Sequence, residues 1–224
     1  NPDVEFILSH RHGPNRCIED LKQFLAEDER VKFLIENDEL SWVDHYNFLL
    51  EKAKGKYFMW MPHDDSFPRG YTDHLISSLE KNADRILAFG PLYCVDKMNH
   101  SKFSFFLPPY LLERLHRSSV FNAFLSLHFW NLGVAMRGIF VTDYLRSNDF
   151  YIRNSHSNNA FADTYWLFNL FLSGRMSYVK NAISVKRFHD KNTHGKWSKT
   201  TFLSLKGIQN LRQYIRANKL INGF

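Results

Sequence analysis

Short apolar runs and amphipathic stretches alternate along the first part of the chain. The apolar runs predict strands, and stretches with apolar residues three and four positions apart predict helices between them. This alternation is typical of an α/β fold with a mainly parallel sheet, flanking helices and right-handed connections. The predicted strands cover 4–8, 31–35, 57–61 and 85–92, and the predicted helices cover 16–26, 41–53 and 71–81.

The pattern changes after residue 96. Residues 97–130 are aromatic and irregular, with Pro108-Pro109 at the start of a predicted core or lid helix. Beyond them the pattern predicts strands over 131–140, 176–179 and 183–188, helices over 141–146 and 161–172, and a basic amphipathic helix over 200–218. No linker divides the chain, so we predict a single domain, 1–224, composed of a 1–96 half, a 97–195 half and a C-terminal helix at 196–224.

Composition and charge restrict the partners of this domain. A chain of 224 residues can bury a substantial core, and an aromatic content of 16% predicts an aromatic one. The formal net charge of +6 suits an anionic partner, such as a sugar nucleotide or an anionic membrane surface. The basic residues form no dense stripe, which argues against a nucleic-acid-binding protein.

The sequence also bears on location. The two cysteines, Cys17 and Cys94, lack zinc-site spacing, so a reduced, cytoplasmic setting is favoured. No apolar run reaches the roughly 18 to 20 residues of a membrane span, although the aromatic residues between 103 and 107 leave open a peripheral contact with the inner face of the membrane. Because residue 1 is Asn rather than Met, we expect the chain to start inside a longer protein.

Two adjacent acidic residues follow the predicted strand at 57–61. Pro62 ends the strand, and His63, Asp64 and Asp65 come directly after it. Ligands of open α/β sheets bind at the carboxyl ends of the strands, where two neighbouring carboxylates repel each other unless a cation lies beside them. A divalent ion with oxygen ligands, Mn²⁺ or Mg²⁺, carrying a phosphorylated substrate is one interpretation. A solvated turn is the other, because Asp is common where strands end.

The residues around this acidic pair resemble a known signature. Asn47, then Ala53, Gly55-Lys56-Tyr57, an apolar strand and Asp64-Asp65 are similar to the pattern of family 2 glycosyltransferases, which have the GT-A fold. Ala162-Asp163 opens an apolar helix that closes at Gly174, which resembles a second segment of that family. Arg187-Phe188-His189 resembles the element that follows, so the resemblance covers roughly residues 4–195.

The resemblance implies a metal-dependent transferase with an acceptor-side second half. It would move a sugar from a nucleotide-sugar donor to a glycan, a lipid-linked acceptor or another hydroxyl, with inversion at the anomeric carbon. Asp163 would be the catalytic base, although an Asp at a helix start is also a common N-cap. By the same resemblance, Asp65 and His189 would bind the metal, and the donor would contact Asp64, His63, Asn47 and Arg187.

The chain also departs from the family pattern. The first strand of the family has no counterpart in this sequence, so we expect either that it lies upstream of residue 1 or that the domain is incomplete. Ser9-His10-Arg11-His12 stand where the family has an acidic residue that contacts the base, and Ala162 stands where it has Glu. These departures support an alternative, in which a catalytically degenerate GT-A domain acts as a glycan- or protein-binding module.

Overall fold

The computed structural model describes residues 3–11, 16–36, 40–105, 120, 123, 130–154 and 162–188. The predicted C-terminal helix at 200–218, the helix predicted from Pro108 and His189 lie outside these residues. The helices are α1 Arg16–Leu25, α2 Trp42–Lys52, α3 Tyr71–Lys81, a 3₁₀ helix at Trp130–Arg137, α4 Thr142–Ser147 and α5 Ala162–Ser173. The strands are β1 Phe6–Arg11, β2 Val31–Glu36, β3 Tyr57–Phe58, β4 Asp65–Ser66, β5 Arg85–Phe89, β6 Leu92–Val95, β7 Ser101–Phe105, β8 Ile139–Val141, β9 Arg175–Tyr178 and β10 Ser184–Arg187.

The described strands pair in three groups. Strands β1 and β2 form a parallel pair. A second sheet has the order β3-β8-β5-β9, and a third has the order β4-β10-β6-β7. The α/β class is therefore confirmed, and helices pack beside the sheets as predicted.

Strand direction differs from the prediction of a mainly parallel sheet. Strand β8 lies between β3 and β5 and is antiparallel to both, so that Phe140 pairs with Phe58 on one side and Leu87 on the other. Strands β5–β9 and β6–β10 are parallel, whereas β4–β10 and β6–β7 are antiparallel. The second sheet is mixed because β8, from the second half of the chain, inserts between two strands of the first half. Local hydrophobic periodicity does not predict which strands pair.

The predicted strand over 131–140 is wrong for most of its length. The chain forms a 3₁₀ helix up to Arg137, and β8 starts only after Gly138. Val134, Ala135 and Met136 are all buried. A continuous apolar run is compatible with a buried strand or a buried helix, so the sequence pattern could not separate the two.

The core is aromatic, as the composition predicts. The centre of the Trp60 ring lies 5.4 Å from those of Phe140 and Trp166. The indole N–H of Trp60 donates to the Tyr46 carbonyl at 3.1 Å, and that of Trp166 donates to the Phe150 carbonyl at 3.0 Å. Both indoles are almost fully buried, and burial of such large rings with satisfied N–H groups is strongly stabilising. Packing of α5 and α2 against this cluster fixes the positions of the two helices that contribute to the site.

Helix α2 is anchored at both ends. Ser41 caps its start by accepting a hydrogen bond from the backbone N–H of Asp44 at 3.2 Å. At its end, the guanidinium of Arg146 in α4 donates to the carbonyls of Leu50 (2.5 Å), Glu51 (3.1 Å) and Ala53. The last carbonyls of a helix lack partners within the helix, and a cation also suits the negative end of the helix dipole.

Within the part of the chain that the structure describes, every helix is too short or too polar to cross a membrane.

Candidate functional site

Asp64 and Asp65 lie in a tight turn against the last described strand. The backbone N–H of Asp65 donates to the Pro62 carbonyl at 3.1 Å, and Asp65 then begins β4, where it pairs with Lys186 of β10. The backbone N–H of Arg187 donates to the Asp64 carbonyl at 3.2 Å. Two of the three segments on which the resemblance rests, the one with the acidic pair and the one with Arg187, are therefore adjacent in space.

Among the described residues, Arg137 is the cation in contact with Asp65. Its Nε lies 2.6 Å from Oδ2 of Asp65, whose side chain is 0% exposed, and the arginine side chain is only 12% exposed. Neither carboxylate oxygen nor this Nε has a partner with hydrogen-bond geometry among the described residues, so the contact is an ion pair with poor angles. Burial raises the pKa of the Asp65 carboxyl, and Arg137 and Lys186 oppose that rise.

Sequence reasoning missed Arg137. The backbone positions it well: its carbonyl accepts a hydrogen bond from the Tyr71 hydroxyl at 2.8 Å, and the N–H of the next residue, Gly138, donates to Ala135 at 2.9 Å. A signal was available, because Arg137 is the only charged residue in the apolar stretch 131–140. A lone cation in a stretch that is otherwise buried needs an anionic partner.

A second cation, Lys186, lies beside the same carboxylates. It is half-buried and pairs with Asp65 across β4–β10 and with Cys94 across β6–β10. Burial and the neighbouring Arg137 lower the pKa of Lys186, whereas Asp65 and Asp64 raise it. Burial likewise raises the pKa of the Cys94 thiol. The site therefore holds two enclosed cations next to two carboxylates.

The charges of Asp163 and of the residues around Asp65 both affect Tyr46 of α2. Burial raises the pKa of the Tyr46 phenol; Arg137 lowers it, and the negative charges of Asp163, Asp65 and Asp64 raise it further. Asp163 and the acidic pair, although remote from each other in sequence, thus both influence this phenol.

Asp163 itself lies in the first turn of α5 and is half-buried. The helix begins at Ala162, so Asp163 lies one residue inside it, and its Oδ1 accepts a hydrogen bond from the N–H of Thr164 at 2.9 Å. A carboxylate at this position lies near the positive end of the helix dipole.

Asn47 has a structural partner. Its Nδ2 donates to the carbonyl of Ile152 at 2.8 Å, and its Oδ1 accepts from the N–H of the same residue at 2.8 Å. The amide thus ties α2 to the segment after α4. The predicted donor contact of Asn47 stays a prediction, but the structure uses both ends of the amide for this bridge.

Replacing Asn47 with Ala should lower the free energy of unfolding by about 2 kcal/mol, because two hydrogen bonds are lost and the backbone of Ile152 is left unpaired. Urea unfolding measures this change. Asn148→Ala, which removes one exposed bond to the Tyr144 carbonyl, is the control and should cost less than about 0.5 kcal/mol. If Asn47→Ala keeps full stability and instead loses nucleotide affinity, the side chain serves the donor.

The remaining predicted residues lie at the rim or beyond the described chain. His63 is exposed in the turn before the acidic pair. Arg187 is exposed, and its guanidinium donates to Oδ1 of Asn99 at 3.1 Å. His189 lies outside the described residues, so its predicted metal contact is untested.

The predicted divalent ion does not fit the surroundings of Asp65. Both oxygens of this carboxylate are enclosed, and a guanidinium already contacts one of them. The described residues also include no group of three or more His, Cys, Asp or Glu side chains that could hold a metal. A bound Mg²⁺ or Mn²⁺ usually keeps several water ligands, for which the enclosed oxygens leave little access. Metal binding stays a prediction, and no step of the chemistry below depends on it.

The sequence matches no protein-family model and no curated protein. The fold, however, is similar to that of S. aureus TarS. For TarS 1–349 in complex with UDP-GlcNAc, the TM-score is 0.64 at 11% identity, over 99% of this chain and 59% of that chain. For TarS 1–349 alone, the TM-score is 0.61 at 12% identity, over 96% of this chain and 69% of that chain. For its complex with UDP, the TM-score is 0.59 at 10% identity, over 88% of this chain and 54% of that chain.

The likeness concerns the fold. At 10 to 12% identity it confirms the predicted class, a mixed α/β arrangement with sheets flanked by helices. The chain spans 59% of the length of TarS 1–349 in the complex with UDP-GlcNAc.

Proposed function

We propose that this domain is a glycosyltransferase that moves a sugar from a nucleotide-sugar donor to a hydroxyl acceptor. One observation carries the proposal: the acidic pair Asp64-Asp65 lies against β10, where Asp65 contacts Arg137 at 2.6 Å and pairs with Lys186. The fold supports it, because TarS, which has a similar fold, has been crystallised with UDP-GlcNAc and with UDP. Membership of the family 2 glycosyltransferases is part of the proposal.

The carboxylates and cations divide the chemistry between them. Asp163 takes the proton of the acceptor hydroxyl as its oxygen forms the new bond to the anomeric carbon. The bond from that carbon to the diphosphate oxygen breaks, and its electron pair leaves with the nucleoside diphosphate. Arg137 and Lys186 stabilise the charge that collects on this leaving group. A single base opposite the leaving group implies direct displacement with inversion.

Asp64 is half-buried and Arg187 is exposed, and the backbone N–H of Arg187 donates to the Asp64 carbonyl. They are suited to contact the ribose or the phosphates of a donor. The acceptor, a glycan or a lipid-linked sugar, remains a prediction, as does a cytoplasmic location at the inner face of the membrane.

The alternative, a degenerate domain that binds a glycan or a protein, is favoured by one observation. The carboxylate of Asp65 is paired with Arg137 rather than presented to a ligand. A domain of this kind would bind no nucleotide, and that difference separates the two functions.

Calorimetric titration with UDP, GDP and TDP tests the proposal. We expect one nucleotide to bind, and Lys186→Met to weaken its binding roughly 10-fold or more, because a charge-assisted contact to phosphate is worth about 1.5 to 3 kcal/mol. Lys180→Met, in an exposed turn, is the matched control and should leave the Kd unchanged. Failure of all three nucleotides to bind would contradict the proposal and favour the binding module.

A further inference from the structure

We propose that Arg137 takes the place of a divalent cation beside Asp65, so that protein cations alone bind the diphosphate of the donor. The inference rests on the proposed function and concerns how that site binds its donor. It assigns Arg137 as a donor-binding residue and Asp65 as the residue that positions it.

The geometry around Asp65 leaves the carboxylate committed to Arg137. The two side chains are in contact at 2.6 Å, and the aspartate is fully enclosed. An arginine keeps its positive charge at every physiological pH, so it neutralises the carboxylate permanently. A divalent ion bound to the same carboxylate would lie next to a guanidinium, and the two positive charges would repel each other in an enclosed site.

Arg137 is also held firmly enough to act as a fixed binding group. Its carbonyl is bound by the Tyr71 hydroxyl, and Nε is enclosed against Asp65. The following residue, Gly138, packs so closely that an added Cβ would lie 2.6 Å from the Ala88 carbonyl oxygen. The backbone at Arg137 therefore cannot shift without disturbing β5.

A guanidinium fixed in this way is suited to phosphate. Its planar set of N–H donors matches phosphate oxygens, and holding it in place before binding reduces the entropy lost when the ligand arrives. Lys186 lies across the strand pair from Asp65 and adds a second cation. Arg137 and Lys186 together supply the positive charge that the sequence prediction assigned to a divalent metal ion.

The first test uses the unaltered protein. UDP, or whichever of UDP, GDP and TDP binds, is titrated calorimetrically in EDTA and again in Mn²⁺. We expect the two Kd values to agree within about twofold, since the binding charge belongs to the protein. Binding that strengthens more than 10-fold in Mn²⁺ overturns this inference alone. Absence of binding in both conditions overturns the proposed function together with this inference.

The second test uses substitutions of Arg137. In EDTA, Arg137→Met should weaken nucleotide binding at least 10-fold, and Arg137→Lys should weaken it less, because the charge is kept but the planar donor set is lost. The control, Arg153→Met, removes an exposed pair with Asp149 and should bind normally. Circular dichroism confirms folding of each variant. The inference is overturned if folded Arg137→Met binds the nucleotide in EDTA with the same Kd as the unaltered protein.

The electron paramagnetic resonance of Mn²⁺ gives a readout independent of affinity. With the unaltered protein and no nucleotide, we expect the spectrum to match that of Mn²⁺ in buffer. In Arg137→Met the enclosed carboxylate lacks its cation, so an altered Mn²⁺ spectrum is expected only in this variant. The inference is overturned if the unaltered protein, with Arg137 intact, already shows a protein-bound Mn²⁺ signal and Asp65→Asn loses it.

Discussion

Replacing Asp163 with Asn should reduce sugar transfer about 100- to 10,000-fold, the usual contribution of a general base. The amide has the shape of the carboxylate but cannot accept the proton of the acceptor hydroxyl. In the proposed chemistry Asp163 acts on the acceptor hydroxyl and not on the diphosphate, so nucleotide affinity should stay within about twofold of its original value. The expected result is therefore a loss of rate without a loss of donor binding.

Asp143→Asn is the matched control for this substitution. Asp143 also lies in the first turn of a helix, α4, but it is exposed. Both variants should fold, and only Asp163→Asn should lose transfer. Measurement of released nucleoside diphosphate with a panel of acceptors, alongside calorimetry with the nucleotide, gives both quantities. Unchanged turnover in Asp163→Asn would remove its role as base, and equal losses in the two variants would point to a general helix-start effect.

Replacing Gly90 with Ala should lower the free energy of unfolding by about 3 kcal/mol or more, which is a large effect for one methyl group. Gly90 connects β5 to β6, where the chain passes from one sheet to the other. An added Cβ would lie 1.9 Å from the carbonyl oxygen of Ala182 and 2.7 Å from that of Val179. Both atoms belong to the backbone, so the methyl group cannot be accommodated by rotating a side chain.

Gly133→Ala provides the comparison in the same protein. A Cβ at Gly133 meets no atom of the described residues within 4 Å, so this substitution should change stability by less than about 0.5 kcal/mol. Urea denaturation of both variants measures the difference. Equal stability of the two would mean that the close approach of the segment around Ala182 to Gly90 does not form in solution.

The effect at Gly90 also concerns the site. The segment from Val179 to Ala182 leads directly into β10, which carries Lys186. Moving that segment would separate Lys186 from Asp65, because the two residues pair across β4 and β10. We therefore expect any folded Gly90→Ala protein to bind nucleotide less well than Gly133→Ala.

Local sequence determined much of the secondary structure. The predicted helices at 16–26, 41–53, 71–81 and 161–172 correspond closely to α1, α2, α3 and α5, and Ser41 caps α2 as its position predicts. These elements depend on side-chain periodicity and on capping, which are properties of a few consecutive residues. The acidic pair after a short apolar strand was recognisable for the same reason.

The tertiary structure alone decided the partners of those residues. Three contacts join distant parts of the chain. Arg137 contacts Asp65, Asn47 binds the backbone of Ile152, and β8 pairs with both β3 and β5. Each depends on which segments the fold brings together, and hydrophobic periodicity reports only whether a residue faces the core. The sequence by itself therefore determined the α/β class and the acidic residues of the site. The cation that neutralises Asp65 was decided by the packing of a buried 3₁₀ helix against the sheet.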